Sequence, residues 1–281
     1  MPWTLQQVSE HGVDNPIVAR LCLQVVSLLN QCNITSENKE YIVDIYMNSL
    51  MKKLLRCHEI FCRYRDSFNN AVISYQRPTM PTQPVEIPVI PRLEEECHNF
   101  LYEAKNTIRD TLLIFNRFYG TSFEEASEVY AARRQGQSLI DYINQAFGQQ
   151  DDRTIYLAQF TTNLEYIVRH RNAIEHPNGH SGTLMIKNFE IRPDGTLNVP
   201  CWWREKNSQK LSDVHHMGYD FDSIISDLLN LAEFIFISWA RNNLIHPDIQ
   251  LAYIPENMRH PHHPVHWDIT LRDELIAQLP Q

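Results

Sequence analysis

Five prolines, Pro78, Pro81, Pro84, Pro88 and Pro91, fall within one short stretch of this chain, and no regular helix can run through them. Each ring removes a backbone donor and pushes the residue before it out of αR geometry, so residues 77–91 are expected as an extended connection. The connection sets off residues 1–76 as an N-terminal helical region. Val85, Ile87, Val89 and Ile90 lie among the prolines, which favours a connection that packs along the protein surface.

On both sides of this break the apolar residues recur at helical spacing, and glycine is scarce at 8 of 281 residues, so a mainly α fold is expected. The N-terminal region reads as helices over 15–31 and 37–73, the second opened by Thr35-Ser36 with Glu37 and Glu40 near its start. Past the connection, Leu93, Cys97, Phe100, Leu101, Ala104, Ile108, Leu112 and Phe115 trace one face of a helix over 92–119, and Gly120 ends it. Further helices are expected from Thr121-Ser122 to about 134, at 138–147, at 152–175 and at 219–243. Between the last two, the strand-like runs Thr183–Arg192 and Thr196–Trp203 flank Pro193-Asp194-Gly195 and read as a β-hairpin within about 183–204. Residues 247–281 form a tail rich in proline and histidine with a short helix expected at 268–279.

A hydrophobic content of 43 % supports a substantial core. The formal charge of −9 argues against a protein that coats nucleic acid through a broad basic face, and leaves room for a local basic cleft. Glu10, Asp14 and Arg20 interrupt the first twenty residues, so neither a secretory signal nor an anchor is expected there, and no membrane partner. Six dispersed cysteines show no disulfide or zinc spacing, which suits the reducing cytoplasm.

The stretch that points to chemistry is Arg171-Asn172-Ala173-Ile174-Glu175-His176, followed by Pro177. On the 152–175 helix, Phe160, Leu164, Ile167 and Ile174 share an apolar face and Arg171 falls near its centre, where a charge is either paired or set against an anionic ligand. Glu175, four residues on, is the alternative partner, as a helix-end ion pair. In an ideal helix His176 would lie about 140° from Arg171. Pro177 disfavours αR geometry at His176, so the chain can leave the helix there and swing that side chain back. The same spelling at Arg241-Asn242-Asn243-Leu244-Ile245-His246 places Arg241 about 160° from its helix's apolar face, toward solvent.

These residues resemble the HEPN superfamily, the higher eukaryote and prokaryote nucleotide-binding domains, whose signature is an arginine, four to six intervening residues and a histidine, often with a polar residue directly after the arginine. Arg171, Asn172 and His176 match it, and the resemblance covers roughly residues 92–245. It implies a HEPN-like helical bundle over 92–246, with the N-terminal helical extension and an inserted β-hairpin. It also implies a metal-independent endoribonuclease of toxin or defence systems, working as a homodimer on RNA, with no cofactor and an antitoxin or regulatory protein as a further partner. In that reading His176 is the general acid or base, Arg171 neutralises the scissile phosphate, and Asn172 positions one of them. Glu175, Tyr102 and His98 are supporting candidates. The alternative is a non-catalytic HEPN-like module that binds a nucleotide or a protein.

Other clusters carry less. His260, His262, His263 and His266 are dense enough to suggest a metal, but the prolines among them, Pro261 and Pro264, break any helical ligand spacing, so an extended tail packed on the domain is expected. Trp202 and Trp203 alternate on a strand, so at most one would be open to stack on a base. Cys57 and Cys62 read as buried or partly buried thiols.

Overall fold

The computed structural model describes residues 11–75, 86–133 and 136–276. The chain is mainly α-helical with small antiparallel sheets. Asn15 caps the first helix by accepting a hydrogen bond from the Ile17 amide, and Pro16 opens it. This helix runs as α1 (Pro16–Val18), a wide π-turn (Ala19–Gln24) and α2 (Val25–Leu29). Thr35 caps α3 (Ser36–Asp44), and a second π-turn (Ile45–Leu50) joins it to α4 (Met51–Ser74). After the connection come α5 (Leu93–Tyr119), α6 (Leu139–Phe147) and α7 (Asp152–Glu175). Ser138 and Asp141 form a capping box on α6, and Asp151 caps α7.

Strands β1 (Thr183–Lys187), β2 (Glu190–Ile191), β3 (Leu197–Asn198), β4 (Cys201–Lys206), β5 (Gln209–Lys210) and β6 (His215–His216) follow. β1 and β4 pair antiparallel with Ile186 opposite Trp202, while β2 and β3 make the hairpin tip, where Gly195 takes a positive φ of 78°. The expected hairpin is thus present, widened to four strands by β5 and β6 pairing on β4. Helix α8 (Met217–Ala240) comes next, then β7 (Ile249–Tyr253), β8 (Trp267–Leu271) and α9 (Asp273–Ile276).

Two expectations need correction. No long helix follows Thr121-Ser122. Asn116 accepts hydrogen bonds from the Thr121 hydroxyl (2.7 Å) and the Phe123 amide (2.9 Å), and its own amide donates to the Phe123 carbonyl (2.6 Å). These bonds satisfy both backbone groups of Phe123 without a helix, and a 3-10 turn (Ala126–Val129) follows. Asn116→Ala is expected to lower stability by about 1–3 kcal/mol, read as a fall in the urea midpoint. In the tail, residues 267–271 are a strand, because each pairs with a residue of β7, from Trp267 opposite Tyr253 to Leu271 opposite Ile249; helix begins only at Asp273. Residues 277–279 of the expected helix, and residues 77–85 of the proline connection, lie outside the described residues.

The chain divides into two compact units built from separated stretches, and α4, α5 and α8 supply residues to both. One unit comprises Met1–Leu55, Asp110–Glu124 and Leu229–Gln281. Within it, Tyr46 is fully buried, its ring edge-on to Phe236 and its hydroxyl bonded to the Ala232 carbonyl at 2.8 Å. Arg20 and Gln24, both in the first π-turn, reach the buried Glu233. The other unit comprises Arg56–Arg109 and Glu125–Leu228. Its core centres on Phe221, stacked on Phe100 at 4.2 Å and met edge-on by Tyr64 and Trp202.

Trp202 and Trp203 are both buried, Trp202 with its indole N–H on Asp220 (2.5 Å) and Trp203 between the Lys187 and Lys210 ammonium groups. Neither is open to stack on a base. Among the described residues one helix, α8, is long and apolar enough to cross a membrane, and 72 % of its apolar window is buried within the protein.

Candidate active site at the end of the motif helix

The last turns of α7 are anchored by His170, whose ring is fully buried against Tyr166 at a centroid distance of 3.7 Å. Its Nδ1 lies 2.8 Å from the Tyr166 carbonyl, which requires the proton on that nitrogen. Burial pushes its pKa down to about 3; the carbonyl bond opposes this, and the charges of Arg204 and His215 add to it. His170 is therefore a neutral packing residue near pH 7. That pins the helix rotation for the three motif residues that follow.

Arg171 is mostly buried, with its side chain 15 % exposed. Its guanidinium lies over the Tyr102 ring at 5.4 Å and 3.4 Å from one Glu175 oxygen, while Nε is buried with no hydrogen-bond partner among the described residues. His98 belongs to the same surroundings: burial lowers its pKa, Glu94 opposes this, and the Arg171 charge lowers it further. The helix-end ion pair with Glu175 is thus formed.

Asn172 meets a different neighbour, Lys105. Its ammonium donates to Asn172 Oδ1 (3.0 Å) and to the second Glu175 oxygen (2.7 Å). Burial alone would raise the Glu175 pKa, but the Lys105 bond and the Lys105, Arg171 and His176 charges outweigh it and hold the carboxyl below its usual range. His176 ends the helix with φ −132° and ψ 70°, outside αR geometry as Pro177 demands, and its amide still donates to the Asn172 carbonyl (2.9 Å). Its side chain is exposed.

His176, Asn172, Glu175 and Lys105 line one cleft of about 500 Å³, together with Arg133 and Glu125. Arg171 is not among its lining residues. The structure therefore brings His176 and Asn172 to a common cleft, sets Arg171 with Tyr102 beside it, and makes the Glu175 carboxylate the bridge between the two groups. Two cations and a histidine can hold and protonate an oxyanion. Here Lys105 is already held by Glu175, and Arg133 stands 3.9 Å from Glu125, so an entering anion must compete with carboxylates.

Lys105, Arg133 and Glu125 escaped the sequence reading. Lys105 left a signal, since it lies three residues from Tyr102 and shares its helix face. Arg133 and Glu125 left none, because their segment is irregular and its placement comes from the fold.

The second spelling behaves differently. Arg241 is exposed over the Trp267 ring at 4.9 Å, and His246 faces Asp248 at 3.4 Å. In the tail His260 stacks on His263 at 4.0 Å, and His266 turns to Glu233. Among the described residues no three His, Cys, Asp or Glu side chains gather as metal ligands.

Fold and site define a mainly helical protein with a mixed-charge cleft at the end of its motif helix. No protein-family model, no curated protein and no solved structure matches the chain.

Proposed function

We propose that this protein is a HEPN-like, metal-independent endoribonuclease of a toxin or defence system, acting in the cytoplasm as a homodimer and restrained by an antitoxin or regulatory protein. The bundle over 92–246 would be the catalytic domain and residues 1–76 its helical extension. The observation that carries this reading is the shared cleft of His176, Asn172 and Lys105. In the reaction the ribose O2′ attacks phosphorus, the P–O2′ bond forms, and the P–O5′ bond breaks. The O2′ proton goes to a base, and the departing O5′ takes a proton from an acid.

His176 performs one of these transfers, and the same residue of a second copy performs the other. Lys105 and Asn172, which line the cleft, face the charge that builds on the phosphate oxygens, and Arg171 adds positive charge from beside it. The products are a 2′,3′-cyclic phosphate and a 5′-hydroxyl. End-group analysis of RNA incubated with the protein in a metal chelator tests this reading. Uncut RNA, or cutting that persists in both Arg171→Ala and His176→Ala, would sink it.

Glu175 competes with the substrate for Lys105 and Arg171. Glu175→Gln is therefore expected to tighten RNA binding by about two- to fivefold at fixed salt, measured by fluorescence anisotropy.

The position of Arg171 outside the cleft, paired with Glu175, favours a second reading, a non-catalytic module that binds a nucleotide or protein. It predicts binding without cleavage, and tolerance of both substitutions.

A further inference from the structure

A larger hollow, of about 660 Å³, opens elsewhere in the same unit and shares no residue with the cleft. Its volume lies within the range of small-molecule sites. One wall is the end of α4, where Phe61, Tyr64 and Phe68 recur at helical spacing on one face. Tyr219, in the first turn of α8 and 80 % exposed, also lines the hollow. Exposure on that scale is unusual for an aromatic side chain lining a concave surface, and it leaves a ring face open for stacking. Gly218 also lines the hollow. A Cβ there would sit 3.2 Å from the Tyr64 ring, so the missing side chain lets α8 begin close against that wall.

The polar groups converge on the same space. Arg65, from α4, lies 5.8 Å from the Phe61 ring. Arg192, from the β2–β3 hairpin, donates to Asn198 Oδ1 at 2.5 Å. Against these two cations the hollow has one carboxylate, Asp222. An apolar, aromatic floor with a cationic excess at its rim fits a flat ring that carries an anionic group. Asp222 adds an acceptor for a ring N–H or hydroxyl.

We infer that this hollow is a binding site for an aromatic anion, its ring stacked on Tyr219 and the α4 aromatics and its phosphate or carboxylate held by Arg65 and Arg192. The inference does not rest on ribonuclease activity. The full chain is titrated calorimetrically with adenosine 5′-monophosphate and with indole-3-acetate, and separately with the uncharged adenosine and indole. Saturable binding is expected for at least one anion, about tenfold or more tighter than for its uncharged counterpart. Binding of the nucleotide alone identifies a phosphate ligand, and binding of indole-3-acetate alone a carboxylate.

Tyr219→Ala is expected to weaken binding by about fivefold to a hundredfold, and Arg65→Gln with Arg192→Gln to abolish the preference for the charged compound. All three side chains are exposed, so the fold should persist, as circular dichroism would verify. Absence of saturable binding by either anion, or binding unchanged in both variants, overturns the inference.

Discussion

Glu233→Ala is expected to lower stability by about 3–5 kcal/mol, read as a large fall in the urea midpoint. Glu233 is the shared acceptor for Arg20 (2.6 and 3.0 Å), Gln24 (2.8 Å) and His266 (3.1 Å), and it is almost wholly buried. Without it the Arg20 charge, itself 4 % exposed, keeps, among the described residues, only the neutral Asn230 oxygen as its acceptor. Breaking one side of a buried pair is far more damaging than removing both, so Arg20→Met with Glu233→Met is expected to recover most of the loss. An unchanged midpoint in Glu233→Ala would show that the cluster contributes nothing.

The same carboxylate sets a pH dependence. Burial opposes its ionisation, but hydrogen bonds from His266 and Arg20, with their charges, hold its pKa down to about 2, against a usual 4.5. Between those values the unfolded chain binds the proton and the folded one does not, so stability rises with pH across that window. The contribution, on the order of 3 kcal/mol, is complete above about pH 4.5 and disappears as pH falls through about 2. Glu233→Gln should flatten the acid limb of a stability–pH curve. Because His266 and Trp267 also donate their amides to Gln24, loss of the cluster should release the β7–β8 pair first, seen as early hydrogen exchange there.

On the proposed reading, His176→Ala is expected to reduce RNA cleavage by about 10² to 10⁴-fold, the range for loss of a positioned acid or base. The histidine is exposed at a helix end, so folding should be unaffected. Asn172→Ala should weaken cleavage less, because it removes an orienting acceptor of Lys105 and leaves His176 in place. A second copy supplying the other proton transfer makes the rate depend on dimer formation. Mixing His176→Ala with wild type should then poison activity beyond simple dilution, and strict proportionality would exclude a shared site.

How far the sequence could be read depended on how local each feature was. The start signal at Thr35, the stop at Gly120 and the exit at Pro177 involve groups a few residues apart, so spacing alone located the start of α3 and the ends of α5 and α7. The hairpin turn was legible for the same reason. The start of the 121–134 segment was not, because the Asn116 side chain takes up the Phe123 N–H and carbonyl that a helix would have used. Strand 267–271 was misread in part, because its pairing partner begins at Ile249 and periodicity over so short a run does not choose between helix and strand.

The site divides in the same way. That Arg171 would be largely buried, Arg241 exposed and His176 outside helical geometry followed from wheel position and the following proline, which are properties of one segment. Only the tertiary structure decided that Glu175 bridges Arg171 and Lys105, that Arg133 joins the cleft while Arg171 does not, and that Glu233 collects Arg20 and His266. Lys105 and Glu175 are 70 residues apart, and Arg20 and Glu233 are 213 apart. Local propensity acts through a residue's immediate neighbours. The choice of a distant charge partner is made by packing, where each buried ion must find whichever counter-charge the fold brings within reach.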